Sequence, residues 1–394
     1  MFYYISFLRP PPVQAAPYAP FSIKPQISND LRTESFEGEQ ELYYSWSRPG
    51  QPISKPQKLT TWRPSSAYKD IPVPLPSGVR DGQYWRLILS GEAQAHGRAS
   101  PESIDLSSSA IGSSMPFPVM SMPILFMGKG HKGALKQEAV ERTYLVPVHH
   151  KDEEGEKSWQ AVLRFVEKTS FDLDKKIWDS GVGLSSWLVE LKENVSMRET
   201  HSRLQSLHDS LFSSKPRRIL ELGTGIGFVS AIVSVLRPSS NSASTDESNT
   251  SANDCILATD VESAIPLIQE NFSLNKSHFL RTPPKAMILD WDDEELPQEV
   301  KDLQELDAII MADVTYNTAS FPSLCRTLSR LAKLNPDLEA KHPAILLGYK
   351  QRDESERDFW GMAAKYGIEF EKIGERAGSG DVPVEIWSGR VVKS

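Results

Sequence analysis

The chain has 394 residues and a formal net charge of −8, so it is long enough for more than one domain, and general affinity for nucleic acid is not expected. Hydrophobic residues make up 39% of it, which is enough for a sizeable core. Its two cysteines argue against a disulfide framework and suit a reducing compartment, and they lie in no metal-ligand spacing. No apolar run approaches the roughly 18 residues that span a bilayer.

The first 83 residues are rich in proline, which interrupts both helices and strand ladders. We therefore predict a Pro-rich N-terminal arm over residues 1–83 that is loosely ordered. Docking of the arm on a folded domain stays open, because it carries several large aromatic residues. These are Tyr43, Tyr44, Trp46 and Trp62.

A β-rich extension is predicted for residues 84–170. Its expected strands lie at 84–90, 124–127, 143–148 and 159–165. The charged segment between the last two strands predicts a hairpin loop. The adjacent His149 and His150 in this loop fit a solvated turn better than a metal site, since neighbouring side chains point in different directions and no further ligand is spaced nearby.

The third region, residues 171–394, contains the most informative stretch of the chain. A buried strand ends in the pattern Glu221-x-Gly223-x-Gly225-x-Gly227, and an apolar helix follows over 228–236. This unit places backbone N–H groups and a helix N-terminus at the carboxyl end of a parallel sheet, where open α/β folds bind ligands. A phosphate-binding turn would have glycine at Phe228, and Glu221 would repel a phosphate. A cationic ligand is favoured, with a purely structural turn and a dehydrogenase as alternatives.

Strands and helices alternate through the rest of this region. Predicted strands end at Asp260, Asp290 and Asp313, a fifth covers 344–349, and the last two, 368–373 and 384–387, form a hairpin. The fold class is therefore α/β: a Rossmann-like, seven-stranded, doubly wound sheet with an antiparallel C-terminal hairpin, preceded by a β-containing and partly disordered extension. Residues 238–254 are a low-complexity insertion that is predicted to be disordered.

From residue 177 onwards the chain resembles methyltransferase family 16, the seven-β-strand S-adenosylmethionine (SAM)-dependent protein-lysine methyltransferases of the non-histone type. The resemblance rests on motifs that occur in the family's order. They are Trp178-Asp179 before a helix, the glycine turn, Ala258-Thr259-Asp260, Asp290-Trp291 and Asp313-Val314-Thr315-Tyr316.

The resemblance implies SAM as cofactor, bound by residues matched to the family's motifs: Trp178, Gly223, Gly225, Asp260, Trp291 and Ala312. Glu221 and Gly227 of the glycine turn complete the predicted cofactor site. Asp313 and Tyr316 are the predicted catalytic residues, which would orient the acceptor amine and line its entry. Other roles stay open: Trp178 and Trp291 as core residues, Asp260 as a turn residue, and Asp313 as a helix cap.

These features predict a SAM-dependent methyltransferase that acts on a lysine of a non-histone protein. The alternatives are methylation of a small molecule or of another protein side chain, and an interaction protein that keeps the fold without turnover. We expect a protein partner as acceptor, no nucleic acid, no membrane and no metal, a monomer, and a location in the cytoplasm and also the nucleus. The acceptor protein, its lysine and the degree of methylation do not follow from the sequence.

Overall fold

The computed structural model describes residues 1–93, 100–113, 115–128, 135–152, 155–170, 172–199, 201–239, 254–334 and 342–392. The predicted disorder of the 238–254 insertion concerns residues that lie mostly outside these ranges. Asp254, at its end, is described: its carboxylate accepts from Arg237 Nη2 at 2.7 Å and from Arg281 Nη1 at 2.9 Å. In the described part of the chain, no helix is long and apolar enough to cross a membrane.

The N-terminal part is built from strands. They are β1 (Tyr4–Arg9), β2 (Gln14–Ala15), β3 (Phe21–Ser28), β4 (Gln40–Ser47), β5 (Gln57–Trp62), β6 (Ile71–Val73), β7 (Gln83–Ser90), β8 (Ser103–Asp105), β9 (Val119–Ser121), β10 (Ile124–Phe126), β11 (Ala139–Asp152) and β12 (Gly155–Lys168). β1, β3 and β6 form a three-stranded sheet, and the other nine strands form a second sheet. The predicted hairpin is confirmed, with β11 and β12 paired antiparallel along their whole length.

The C-terminal part alternates helices and strands. They are α1 (Asp179–Glu193), α2 (Val195–Glu199), α3 (Ser202–Phe212), β13 (Arg218–Leu222), α4 (Phe228–Leu236), β14 (Cys255–Asp260), α5 (Ile265–Leu274), β15 (Lys285–Ile288), α6 (Gln298–Lys301), β16 (Ala308–Ala312), α7 (Phe321–Ala332), β17 (Ala344–Tyr349), α8 (Asp358–Lys365), β18 (Ile368–Arg376) and β19 (Val384–Val391). The predicted α/β class is confirmed.

The C-terminal strands join in one sheet in the order β15-β14-β13-β16-β17-β19-β18. β15, β14, β13, β16 and β17 run parallel, and β19 pairs antiparallel with both β17 and β18. The order reverses at β13, because β14 lies on one side of it and β16 on the other. Open α/β sheets bind ligands at such a switch point, beyond the carboxyl ends of the strands.

The expectation that residues 1–83 form a loosely ordered arm is wrong. These residues form strands, and Phe2, Ile5 and Trp62 are buried in the core. The prolines are accommodated because they sit where a ladder hydrogen bond is not required. Pro25 lies at the register shift between β1 and β3, and Pro72 lies in the three-residue edge strand β6.

The N-terminal strands pack directly on the C-terminal sheet and its helices. Tyr144 of β11 and Phe165 of β12 contact Phe228 of α4, with ring centroids 4.6 and 4.8 Å apart. Asn271 of α5 accepts from the Val166 N–H at 2.8 Å and donates to its carbonyl at 3.2 Å. This side-chain amide of α5 thus pairs with the backbone of β12 at Val166 as a neighbouring strand would. The borders predicted at residues 83 and 170 stay predictions.

Candidate functional site

The glycine turn lies between β13 and α4, at the carboxyl edge of the sheet. Gly223 and Gly225 have φ angles of +64° and +59°, in the left-handed region where a side chain is strained. A Cβ added to Gly223 would lie 2.7 Å from Val314 Cγ1 and 3.2 Å from Trp291 Cζ3. The backbone therefore approaches the opposite wall of the site closely, and only glycine permits this.

A cleft of about 230 Å³ opens in front of this turn. Most of the residues predicted for the site line it together: Trp178, Gly223, Gly225, Asp260, Trp291, Ala312, Asp313 and Tyr316. The sequence did not point to its other lining residues, which are Leu173, Asp174, Val261, Ser263, Leu289 and Val314. Three of the lining residues are aspartates and none is lysine or arginine, so the lining suits a ligand with a positive charge.

Gly227, which is also predicted for the cofactor site, is not among the residues that line this cleft. It is buried at the start of α4 with φ +82°, and a Cβ there would lie 2.8 Å from Phe272 Cε1 and 3.1 Å from Ile268 Cγ2. Gly227 therefore lets α4 pack against α5. Its contribution to the site is to fix the direction of the helix.

Asp260 joins the end of β14 to the glycine turn. Its carboxylate accepts from the Gly225 N–H at 2.7 Å and from the Val261 N–H at 2.8 Å. Burial raises the pKa of Asp260 to about 6, against the lowering effect of these two hydrogen bonds. Asp260 is thus a turn residue and a cleft residue at once, and the two interpretations given above do not exclude each other.

Asp260→Ala is expected to weaken binding of SAM and of its by-product S-adenosylhomocysteine (SAH) by a similar factor, about tenfold or more, as for a lost charged hydrogen bond. The reason is that the ribose, which the carboxylate is predicted to hold, is common to both. Isothermal titration calorimetry measures both affinities, with the exposed Asp293→Ala as a matched control. A loss confined to SAM would contradict the ribose assignment.

Glu221 lies behind the turn, in a smaller pocket that adjoins the cleft. Its Oε2 accepts from Thr224 Oγ1 at 2.6 Å, from the Ser230 N–H at 2.9 Å and from the Ser230 hydroxyl. Burial raises the pKa of Glu221 to about 7, although these hydrogen bonds oppose the rise. A nearby cation would favour the ionised form.

We expect Glu221→Gln to stabilise the ligand-free protein at pH 8 and not at pH 4.5. The pKa of Glu221 in the folded chain lies above its ordinary 4.5. The wild-type protein therefore loses stability relative to the variant as the pH rises from about 4.5 to about 7, and the difference is constant above that pH. The gain in the free energy of unfolding of the variant at pH 8 should not exceed about 3 kcal/mol. Thermal unfolding across this pH range measures it, and a gain that does not depend on pH would contradict the assignment.

Trp178 and Trp291 are half-buried and stand in the cleft wall. Trp178 Nε1 donates to the Leu173 carbonyl at 2.8 Å, which fixes the indole plane. The interpretation of these residues as core is not favoured, because each presents part of its ring to the cleft. An indole face is a good partner for a flat heteroaromatic ring.

Asp313 follows β16 with φ +62°, a conformation that is uncommon for a residue with a side chain. Its N–H donates to the Gly348 carbonyl at 3.1 Å. The carboxylate forms a two-pronged ion pair with Arg352, in which Nη2 lies 2.6 Å from Oδ2 and Nη1 donates to Oδ1. Asp313 does not cap the following helical turn, since Asn317 accepts from the Ala319 N–H there. The helix-cap interpretation is therefore wrong.

Tyr316 is about half exposed at the mouth of the cleft, with a relative accessibility of 47%. Arg352, which the sequence analysis missed, lies just beyond β17, so its position at the carboxyl end of a parallel strand was a usable signal. The described residues contain no group of three His, Cys, Asp or Glu side chains arranged to hold a metal ion. His149 Nε2 lies 2.7 Å from Glu193 Oε2.

A family model described as lysine methyltransferase, methyltransferase family 16, matches residues 157–366, which is more than half of the chain. The chain is 26% identical over 197 residues to UPF0665 family protein C23C4.06c of Schizosaccharomyces pombe, covering 50% of this chain and 48% of that protein. It is 29% identical over 142 residues to EEF1A lysine methyltransferase 3 of Xenopus tropicalis, covering 36% of this chain and 50% of that protein. The chain thus spans about half the length of the curated relatives it matches.

Similar solved structures include magnesium protoporphyrin IX methyltransferase from Synechocystis PCC 6803 with bound SAM. It is 13% identical, with a TM-score of 0.32, and covers 53% of this chain and 84% of that chain. A methyltransferase from Pyrococcus furiosus is 14% identical, with a TM-score of 0.29, and covers 48% of this chain and 82% of that chain.

The matched family is the SAM-dependent family that the sequence resembles, so the cofactor is S-adenosyl-L-methionine. The residues of the site fit it, because the close backbone of the glycine turn, the carboxylate of Asp260 and the half-buried indoles face one acidic cleft. Asp260 would hold the ribose, and the backbone of the glycine turn would lie against the ligand. Trp291 would lie against the adenine, and Glu221 would face the cationic tail.

Proposed function

The chain belongs to the lysine methyltransferase family, and we propose that it transfers methyl groups from SAM to a lysine side chain of a non-histone protein. The observation that carries the proposal is the place of Asp313 and Tyr316. Both line the same cleft as the glycine turn and Asp260, and Tyr316 stands at its exposed mouth. A carboxylate and a phenol ring thus stand where an acceptor can enter.

The chemistry required of the acceptor explains these residue types. When bound, SAM supplies an electrophilic methyl group on a sulfonium. A lysine has an ordinary pKa of about 10.4 and is a nucleophile only after it loses its proton. Burial next to other positive charge lowers the pKa of such an amine.

The residues of this chain then act by positioning. Asp313 is held rigidly by Arg352, so its carboxylate can accept a hydrogen bond from the amine at a fixed place. Tyr316 lines the route for the aliphatic stem. Holding the reacting groups in one geometry accounts for several kcal/mol of the barrier in reactions of this kind.

Incubation of the purified full chain with tritiated SAM and cell extract tests the proposal, followed by hydrolysis and amino-acid analysis of the labelled product. Methyl-lysine in the protein fraction is the expected result, and excess SAH should suppress it. Label on another amino acid or in the small-molecule fraction would overturn lysine as the acceptor, and no label would point to an interaction protein. Because a Xenopus relative is named for EEF1A, purified EEF1A is the first single acceptor to test.

A further inference from the structure

A small pocket, different from the one around Glu221, adjoins the cleft beside Asp313 and Tyr316 and is called the side pocket below. It has a volume of about 50 Å³ and is lined by Leu31, Leu173, Trp178, Asp313, Tyr316 and Arg352. All of these except Leu31 and Arg352 also line the cleft. Hydrocarbon and aromatic groups form most of this side pocket, which suits the methylene stem of a long amine side chain.

Leu31 does not belong to the α/β sheet: it comes from the turn that follows β3. This turn, residues 29–34, is called the Asp30 turn below. Its shape is fixed locally, because the Arg32 N–H donates to the Asn29 carbonyl at 3.1 Å and the Thr33 N–H donates to Asn29 Oδ1 at 3.0 Å. Arg32 takes up the left-handed conformation that the turn requires, with φ +60°.

The Asp30 turn is bound to the segment that leads from β12 to α1 and to the residues beyond β17. Arg32 Nη1 donates to the Thr169 carbonyl at 2.9 Å, and Lys176 Nζ donates to the Asp30 carbonyl at 2.9 Å. The Asp30 carboxylate is fully buried and accepts from Lys350 Nζ at 3.0 Å and from Arg352 Nη2 at 2.8 Å. The position of Leu31 in the wall of the side pocket is therefore well defined.

Asp30 also controls the charge beside the acceptor. The Arg352 guanidinium bridges Asp30 and Asp313, and its carbon lies 5.3 Å from the centre of the Trp178 ring. Burial opposes ionisation of Asp30, but Arg352 and Lys350 lower its pKa to about 2, so it stays a carboxylate at neutral pH. Without this charge, Arg352 would offset the attraction of Asp313 for a cationic amine.

We propose that the Asp30 turn completes the acceptor site. Leu31 forms part of the wall around the lysine stem, and Asp30 is a positioning residue that acts through Arg352 on Asp313. The proposal rests on the proposed function and extends it. The N-terminal part of the chain would contribute residues to the acceptor site itself. Acceptors with a long aliphatic stem ending in an amine fit this site, whereas short or flat acceptors leave it unfilled.

Leu31→Trp fills the side pocket and so tests whether Leu31 forms part of the wall around the lysine stem. The matched control is Leu8→Trp, since Leu8 is an exposed leucine of β1, in the sheet that leads into the Asp30 turn. The probe is the protein fraction of the cell extract, with methyl-lysine as the measured product. We expect Leu31→Trp to lose about tenfold or more of the product and Leu8→Trp to stay within about twofold. The affinity for SAH, measured by calorimetry, should be unchanged in both.

Asp30→Asn tests the positioning role with a readout that a purely structural role would not move. Active sites are first counted by SAH titration, so that the rate refers to folded enzyme only. We expect kcat to fall about tenfold while KM for SAM stays within about twofold. In an Arg352→Gln background the same change should lower kcat by less than about twofold further, because the effect passes through Arg352.

The outcomes distinguish failure of the proposed function from failure of this inference alone. If the wild-type chain forms no methyl-lysine, the proposed function fails and this inference fails with it. If the wild-type chain forms methyl-lysine and Leu31→Trp forms as much, the inference alone is overturned. Should Asp30→Asn not fold, the comparison of Leu31→Trp with Leu8→Trp still decides, because neither change touches a buried charge.

Discussion

Asp313→Asn is expected to lower the turnover of methyl transfer by about 10² or more while the dissociation constant for SAM stays within about threefold. Asparagine keeps the shape of the side chain and tolerates the left-handed backbone, for which φ is +62°. It loses the charge that orients the amine and that pairs with Arg352. Because the Arg352 guanidinium still has Asp30 as a partner, the fold should survive the change.

The matched control for this prediction is Asp353→Asn, one residue after Arg352. Asp353 is exposed and accepts from the Ser355 N–H at 2.9 Å as the cap of a short helical turn, a role that asparagine fills as well. Turnover is measured as methyl-lysine formed at saturating SAM, and SAM affinity by calorimetry. Activity of Asp313→Asn within about threefold of wild type would remove Asp313 from the catalytic site.

Much of the C-terminal fold could be predicted because parallel strands buried on both faces are short apolar runs between helices. The helix over 228–236 and the strand over 344–349 have the bounds expected from the sequence. The glycine turn and Asp260 were found for a local reason as well: each stands at the end of such a strand, and the carboxyl ends of β13, β14 and β16 meet at one edge of the sheet.

The N-terminal fold was missed because proline content was treated as a property of the whole segment. What matters is the position of each proline in a ladder, and Pro25 lies where β1 and β3 shift register. The ion pair between Asp30 and Arg352 was missed for another reason. Asp30 and Arg352 are 322 residues apart in sequence, and no local pattern announces a pair that only the docked N-terminal strands bring together.

The second large effect is expected from Lys350→Met, which should lower the free energy of unfolding by about 3–5 kcal/mol at pH 8. Lys350 Nζ lies 2.8 Å from Asp179 Oδ2 and 3.0 Å from Asp30 Oδ1, and all three side chains are almost completely buried. Asp30 keeps Arg352 as a partner after the change. Within the described part of the chain, Asp179 keeps the Phe2 N–H at 2.9 Å and the Tyr4 hydroxyl at 2.8 Å, and no cation there contacts its carboxylate.

The loss should depend on pH with a definite sign. Burial and the neighbouring Asp30 already raise the pKa of Asp179 above its ordinary value, and Lys350 opposes that rise. Removing Lys350 raises the pKa further, so the folded variant holds a proton more tightly than the unfolded chain does. Its stability is therefore greater at pH 5 than at pH 8, where Asp179 must either ionise without a partner or keep its proton at a cost.

Urea unfolding at pH 8 and pH 5 measures this difference, and Lys372→Met is the matched control. Lys372 is a partly exposed lysine that pairs with Glu375 at 2.7 Å and lies 3.6 Å from Glu385 Oε1, and ion pairs near the surface contribute about 0–1 kcal/mol each. A loss below about 1 kcal/mol for Lys350→Met at pH 8 would show that the buried charges compensate each other without Lys350. The expected larger loss would mean that the same charges that fix Asp313 also hold the N-terminal strands on the sheet, so stability and the geometry of the acceptor site depend on one cluster.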